Sequence, residues 1–310
     1  MIPSEMVTDF KNHLDALDGF FSGAEIMTRL HSAQQEICRK IVEEDPSFFV
    51  ETATISLVAD QETYALPINA RLGSRIVMGE NLSSNMNNPE NGPLPAAHLR
   101  DYFSYQDSGS VINIHPYYSF MMEGSKIRIE PTPQAAEADA VRIWYVPSYG
   151  NMVEGFVAGA GADEIQFFDG SPNYASSYGI IDRRDDFYNG MEVRIIEGAG
   201  IGQYKKITDY DGVTRTATVE SSWSETPASS GDDISKFAVV CPVPEDHHAA
   251  VSVRAAMEGA IKNRNRYSEL QTLYFGSPGR MGVLFDLLAW IAKRQDQRLE
   301  SVYPVDYGIY

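Results

Sequence analysis

The residues of this 310-residue chain that could do chemistry are a glycine run, a histidine pair and several carboxylate pairs. The run Gly198-Ala199-Gly200-Ile201-Gly202 has the spacing G-x-G-x-G. A nucleotide loop holds phosphate at the N-terminus of the helix that follows it. Here no Lys-Ser/Thr follows, and Gln203-Tyr204-Lys205-Lys206-Ile207 reads as a strand, so the run is a hairpin turn. His247 and His248 follow Asp246 at a predicted helix start. Neighbours on a helix point about 100° apart and chelate one ion poorly, so capping and solvation are the expected roles. His13, His31, His98 and His115 stand alone. Glu43-Glu44, Asp185-Asp186 and Asp232-Asp233 offer the two carboxylates that glycoside hydrolysis needs, or an Asp-rich calcium loop. In a chain with 43 acidic side chains such pairs arise by chance. His-Glu-x-x-His, Gly-x-Ser-x-Gly and Cys-x-x-Cys are absent from the sequence. The expectation is a non-enzyme with no cofactor, no catalytic residue and no metal site.

Charge narrows the classes further. Lys and Arg number 25 against 43 Asp and Glu, a formal charge of −18, so the chain lacks the basic footprint of a general nucleic-acid binder. Residues 251–300 are the exception, with eight basic side chains against five acidic ones. Cys38 and Cys241 lie far apart with no Cys or His at ligand spacing, and read as reduced, buried thiols. The N-terminus lacks the apolar run of a secretory signal, and no apolar stretch approaches the roughly 20 residues of a membrane span. A soluble protein of a reducing compartment is expected. Tyr102, Phe103, Tyr105, Tyr117, Tyr118 and Phe120 form an aromatic cluster that suits a sugar platform, a β core or a subunit interface.

The elements that must position these groups follow from periodicity. Ile26, Leu30, Ala33, Ile37 and Ile41 share one face of a helix from Ala24 to Glu44, with Ser22 and Glu25 as a capping box and Asp45-Pro46 as its stop. Met6, Phe10, Leu14 and Leu17 mark a shorter helix before it. From Phe48 the period becomes two: Ile55 and Leu57, Tyr64 and Leu66, Ile127 and Ile129, then Val141, Ile143 and Tyr145 predict half-buried strands. Asn81 to Pro95 and Glu130 to Pro133 read as loops. Beyond 150, strands Glu192–Ile196 and Gln203–Thr208 flank the glycine run, and Asp211-Gly212 predicts a type I′ hairpin. One helix is expected from Glu245 to Phe275, with Val253, Met257, Ala260 and Ile261 inward. Ser277 and Pro278 then read as the N-cap and first residue of a last helix that carries Leu284, Leu287, Leu288 and Ile291 inward. The predicted class is α+β: N-terminal helices (1–48), a β domain (49–149), an inserted all-β module (150–238), C-terminal helices (239–300) and an extended tail (301–310). The two helical parts are expected to pack as one bundle.

Two segments carry a resemblance. Gln61-Glu-Thr-Tyr-Ala-Leu-Pro67, Gly124-Ser-Lys-Ile-Arg-Ile-Glu-Pro-Thr-Pro133 and Val141-Arg-Ile-Trp-Tyr-Val-Pro147, bracketed by terminal helices, resemble the β region of head-to-tail adaptor proteins of tailed bacteriophages. Asp185-Asp-Phe-Tyr-Asn-Gly-Met-Glu-Val-Arg-Ile-Ile-Glu-Gly-Ala-Gly-Ile-Gly-Gln203, continuing to Trp223, is similar to a β module that recurs in phage virion proteins. The resemblance implies a structural virion protein of the neck, made in the host cytoplasm. Its copies would form a ring, implied to be twelvefold, that docks on the portal, extends the DNA channel and offers a platform to the downstream tail or nozzle protein and to fibres. DNA would pass without sequence-specific binding, and no membrane is involved. The tail residues Tyr303, Pro304, Val305, Tyr307, Ile309 and Tyr310 are the implied portal contact. Arg254, Lys262, Arg264, Arg266, Arg294 and Arg298 are the ring-interface candidates, set against the acidic β modules. An acidic channel wall would repel phosphate. The alternative is a host-recognition or fibre-attachment protein that binds surface glycan through the inserted module.

Overall fold

The computed structural model describes residues 1–15, 20–70, 76–82, 93–94, 119–123, 126–130, 132–168, 178–231, 233–263 and 266–302. It contains both helices and strands, and is of the α+β class. The chain divides into two compact units, Met1–Phe48 with Tyr149–Tyr310, and Phe49–Ser148.

In the first unit α1 (Pro3–Leu14) and α2 (Gly23–Glu44) precede the β elements, and α3 (His248–Asn263), α4 (Tyr267–Phe275) and α5 (Val283–Val302) follow them. Pro3 opens α1, and the Glu5 carboxylate accepts the Ile2 N–H at 2.9 Å. Ser22 caps α2 by accepting the Glu25 N–H at 3.2 Å. The Glu25 side chain turns instead to Lys262 and Arg29, so the reciprocal half of the expected box is replaced by ion pairs. The inward stripe of α2 is as expected, with Ile26, Leu30, Ala33, Ile37 and Ile41 fully buried. α3 packs against α1, α2, α4 and α5. Gly259 permits the approach to α1, since a Cβ there would lie 2.7 Å from Leu14 Cδ1 and 2.8 Å from Phe10 Cζ.

The single helix expected over Glu245–Phe275 is three pieces: a 3-10 turn at Glu245–His247, then α3 and α4. Arg266 takes a left-handed conformation with φ 59°, which ends one helical path and starts another. Ile261, expected inward, is exposed within α3. Ser277 is not an N-cap either. Gly276–Ser277 (β14) and Arg280–Met281 (β15) pair as a hairpin. Pro278 followed by Gly279 at φ 85° is the residue pattern of a type II turn, which outcompetes a helix start. Leu284, Leu287 and Ile291 of α5 are buried as expected, and Leu288 is half-buried.

Between α2 and α3 the same unit holds a closed antiparallel barrel of β8 (Val153–Ala160), β9 (Glu164–Phe167), β10 (Glu192–Glu197), β11 (Tyr204–Asp211), β12 (Thr216–Val219) and β13 (Lys236–Val239). The order around it is β10-β11-β12-β9-β8-β13, so no edge is left to pair with another chain. Alternation is strict on β12, where Ala217 and Val219 point into the core and Thr216 and Thr218 outward. Phe167 stacks on Phe237 with centroids 4.2 Å apart, and Tyr188 and Tyr210 close around it. The glycine run is the β10–β11 turn, with Gly198, Gly200 and Gly202 all at positive φ. Asp211-Gly212 also opens a hairpin, but not the expected two-residue turn. Four residues separate the paired Asp211 and Thr216, and Arg215, not Gly212, has positive φ. Asp211 Oδ1 accepts from the Val213 and Thr214 N–H groups. Gly212 is needed for a different reason: a Cβ there would lie 2.3 Å from the Arg183 carbonyl oxygen.

The second unit has two antiparallel sheets. β1 (Glu51–Leu57), β7 (Glu137–Tyr145), β3 (Ile76–Asn81) and β4 (Pro93–Leu94) form one in that order, and β2 (Thr63–Ala65), β6 (Lys126–Glu130) and β5 (Ser119–Glu123) form the other. Asn81 and Pro93–Leu94, expected in a loop, are therefore strand residues, as is Glu130. All nine apolar residues picked by period two lie in this unit's core. The Tyr64 hydroxyl donates to the Gln61 carbonyl at 2.8 Å and closes the turn that carries Asp60 at positive φ. Tyr145 likewise donates to Asn69 Oδ1 at 3.0 Å.

Candidate functional site

Most of the basic side chains expected to face a neighbouring subunit have partners inside the chain. Arg254 on α3 donates through Nε to Glu36 of α2 at 2.8 Å, and its Nη1 lies 3.1 Å from Glu258. Lys262 lies 2.8 Å from both carboxylate oxygens of Glu25 and over the Phe20 and Phe21 rings. Arg266 joins Asp15 to Glu269. Arg294 on α5 lies over the Phe48 ring at 4.8 Å, beside Trp290. The contacts to Glu36, Glu25, Asp15 and Phe48 join segments more than 200 residues apart, and periodicity carried no signal for them. Arg264 and the tail residues Tyr303, Pro304, Val305, Tyr307, Ile309 and Tyr310 lie outside the described residues, as do Tyr102, Phe103, Tyr105, Tyr117 and Tyr118. Arg298 falls in α5 and Phe120 in β5, with side chains outside the description.

A second set of contacts ties the helices to the barrel. Glu154 of β8 is buried and accepts the Ser4 N–H at 2.9 Å, so a barrel carboxylate sits on the first turn of α1. Burial raises its pKa despite that hydrogen bond. The Met1 ammonium contacts Glu245 at 3.0 Å and His248 Nδ1 at 2.9 Å, and Arg194 of β10 reaches the same Glu245 at 3.1 Å. On α2, His31 Nε2 lies 3.0 Å from the Met152 carbonyl and Gln34 donates to the Gly150 carbonyl at 2.8 Å. Neither histidine pair nor lone histidine had been assigned this positioning role from sequence. His247 instead sits 3.6 Å from Asp286 and beside Trp290.

These histidines make stability pH-dependent. Burial lowers the pKa of both His31 and His248, with the Met1 ammonium adding to it at His248. His248 Nδ1 accepts from that ammonium, so its Nε2–H donates to the Val243 carbonyl at 2.7 Å and the ring is neutral. The folded state thus binds fewer protons than the unfolded one, and stability is lost as pH falls from about 6.5 through the lowered values. Glu154 acts in the opposite direction, because its raised pKa favours the protonated folded form at lower pH. The comparison that isolates the imidazole is therefore with His31→Gln, which keeps a donor for Met152. Urea midpoints of the parent should fall relative to this variant between pH 7.5 and 5.5; a constant difference across that range contradicts the assignment.

Both cysteines are free thiols; Cys241 is buried as expected and Cys38 is half-buried, and desolvation pushes the Cys38 thiol well up and that of Cys241 up to about 12. On the outer face of the barrel, a groove of about 620 Å³ is lined by Glu164, Gln166, Asp209, Asp211 and three threonines, with Gly159 and Gly161 at its rim. Among the described residues, no cationic side chain lines the groove. Asp186, next to Asp209, has a raised pKa through burial, with Asp209 adding to it. Among the described residues, no group of three or more His, Cys, Asp or Glu is arranged to hold a metal ion.

The residues Asp185 to Trp223 that read as a virion module are mostly barrel core and turns. Tyr188, Met191, Val193, Ile195, Ile207 and Tyr210 are buried, and Asp185 accepts the Gly212 N–H at 2.9 Å. The pattern specifies a barrel, which leaves the outer surface free to vary.

The family described as SU10 adaptor protein matches residues 1–155, which span α1, α2, the whole second unit and the start of β8. The chain belongs to this family and is a phage structural protein of the adaptor type. No curated protein matches it. Among the described residues no helix is long and apolar enough to cross a membrane.

Proposed function

We propose that this chain forms the head-to-tail adaptor ring of a tailed phage, docked on the portal, extending the DNA channel and presenting a platform to the tail. The observation that carries the reading is the family match over the N-terminal half, which covers the N-terminal helices and the β unit. The ion pairs from α3 and α4 to α1 and α2 support one helical bundle built from both ends of the chain, a body rigid enough to act as a ring segment. The barrel is then an addition between the two helical parts, available for collar or fibre contacts. The charge of −18 supports a channel through which DNA slides without sticking.

The tail is the proposed portal anchor. Tyr303, Tyr307 and Tyr310 can seat in pockets while the extended backbone adds hydrogen bonds. Deleting 303–310 should leave the thermal midpoint unchanged and abolish co-sedimentation with portal particles. Co-sedimentation at the full-length level would remove the tail from the interface.

A further inference from the structure

We propose that the apolar, basic-edged surface at the end of α4, the β14–β15 hairpin and the start of α5 docks into the acidic barrel groove of a second copy of this chain. The proposal rests on the ring reading above and names the two surfaces that would build it.

Phe275, Met281 and Phe285 are 43%, 63% and 49% exposed. The backbone gathers them. Met281 pairs across the hairpin with Gly276, the residue after Phe275. Gly282 is so close that a Cβ on it would lie 2.4 Å from the Phe275 carbonyl carbon. Phe285 follows in the first turn of α5, and Leu288, Ala289 and Ala292 continue its stripe, each half-buried. Single exposed apolar residues need no explanation, but a contiguous patch marks an interaction site. Its cations set it apart from the helix faces described above. Arg280 and Lys293 are exposed and, among the described residues, have no carboxylate partner, whereas Arg254, Lys262 and Arg266 are paired within the chain.

Charge decides the occupant. Two unpaired cations beside apolar side chains select an acidic, concave partner. The groove on β9, β11 and β12 has that character, with Glu164, Asp209 and Asp211 on its wall, no opposing cation among the described residues, and glycine and threonine leaving room for a methionine or phenylalanine side chain. Ring closure requires two different, complementary surfaces on each chain, and patch and groove are two such surfaces.

The test uses full-length protein with one surface altered at a time: Met281→Ser with Arg280→Ser for the patch, and Glu164→Gln with Asp209→Asn for the groove. All four positions are exposed, and unchanged melting curves confirm folding. Mass photometry and sedimentation, alone at rising concentration and with portal particles, read assembly. Each variant should need at least about tenfold more protein to form rings, the equivalent of about 1.4 kcal/mol per contact. Mixed together, the two variants retain one intact patch and one intact groove, so they should form a dimer and no ring. Rings from either variant at the parental concentration overturn the docking assignment while leaving the adaptor reading intact. Patch variants that form rings but lose portal particles would assign the patch to the portal, and groove variants that form rings but lose glycan binding would assign the groove to sugar; either overturns the proposal. Failure of the parental protein to form rings under any of these conditions removes the ring reading and this contact with it.

Discussion

Phe167→Ala is expected to unfold the barrel at conditions where the parent is fully folded. Phe167 is fully buried at the centre of the closed sheet, 4.2 Å from the Phe237 ring and 5.8 Å from both Tyr188 and Tyr210. Removing a buried aromatic ring costs about 3–5 kcal/mol, the transfer free energy plus the cavity left behind. A barrel core relaxes little around such a hole, because each wall strand is held on both sides by its neighbours. Phe167→Leu should lose less, since most of the volume is kept. Equilibrium denaturation should show a loss near the upper part of that range for the alanine variant. A loss below about 1 kcal/mol would mean that the stacked cluster does not organise the barrel.

The second large effect is expected at Arg254. Its guanidinium joins α3 to α2 through Glu36 and contacts Glu258 one turn on, with the Arg and Glu36 side chains only 21% and 26% exposed. Arg254→Ala strands a half-buried carboxylate, and a loss of about 1–3 kcal/mol follows, less than for a fully buried pair because water still reaches both groups. Arg254→Lys should recover only part of it, since an ammonium cannot fork between two carboxylates. Adding Glu36→Gln to the alanine variant removes the stranded charge, so the double variant should be more stable than the sum of the two singles predicts. Strict additivity would show that the pair does not hold the two helices.

The central β unit was the most legible part of the sequence. One face of each strand is buried, so Ile55, Leu57, Tyr64, Leu66, Ile127, Ile129, Val141, Ile143 and Tyr145 announced themselves by alternation, and all lie in one core. The same logic found the inward stripe of α2 and the β10–β11 turn. It failed where a local conformation overrode a pattern. A left-handed Arg266 divides a helix whose apolar spacing runs on, and Pro278-Gly279 makes a hairpin turn where Ser-Pro resembles a helix start. At the Asp211-Gly212 hairpin the residue types were read correctly and the reason for them was not. Gly212 answers a close backbone approach from Arg183, a tertiary fact invisible in a four-residue window.

The candidate site was legible in part. The cationic window at 251–300 stood out, but which of its members are available did not. That depends on Asp15, Glu25 and Glu36, which lie at the other end of the chain and are brought to Arg266, Lys262 and Arg254 only by folding. Once those pairs are formed, the exposed cations Arg280 and Lys293 remain beside the apolar patch. The acidic excess also takes on a more definite meaning. Arg254, Lys262 and Arg266 each pair with a carboxylate of the same chain, so the net charge of −18 is carried by the acidic side chains left over, the excess that a channel wall would need to repel phosphate over the roughly 8 Å of physiological screening.

The adaptor reading is tested most directly by imaging the full-length protein mixed with portal particles by electron microscopy. The account predicts a closed ring stacked on the portal vertex and coaxial with it, with acidic side chains lining the bore. Portal particles that remain bare at saturating protein, or a ring whose bore is lined by basic side chains, would contradict it.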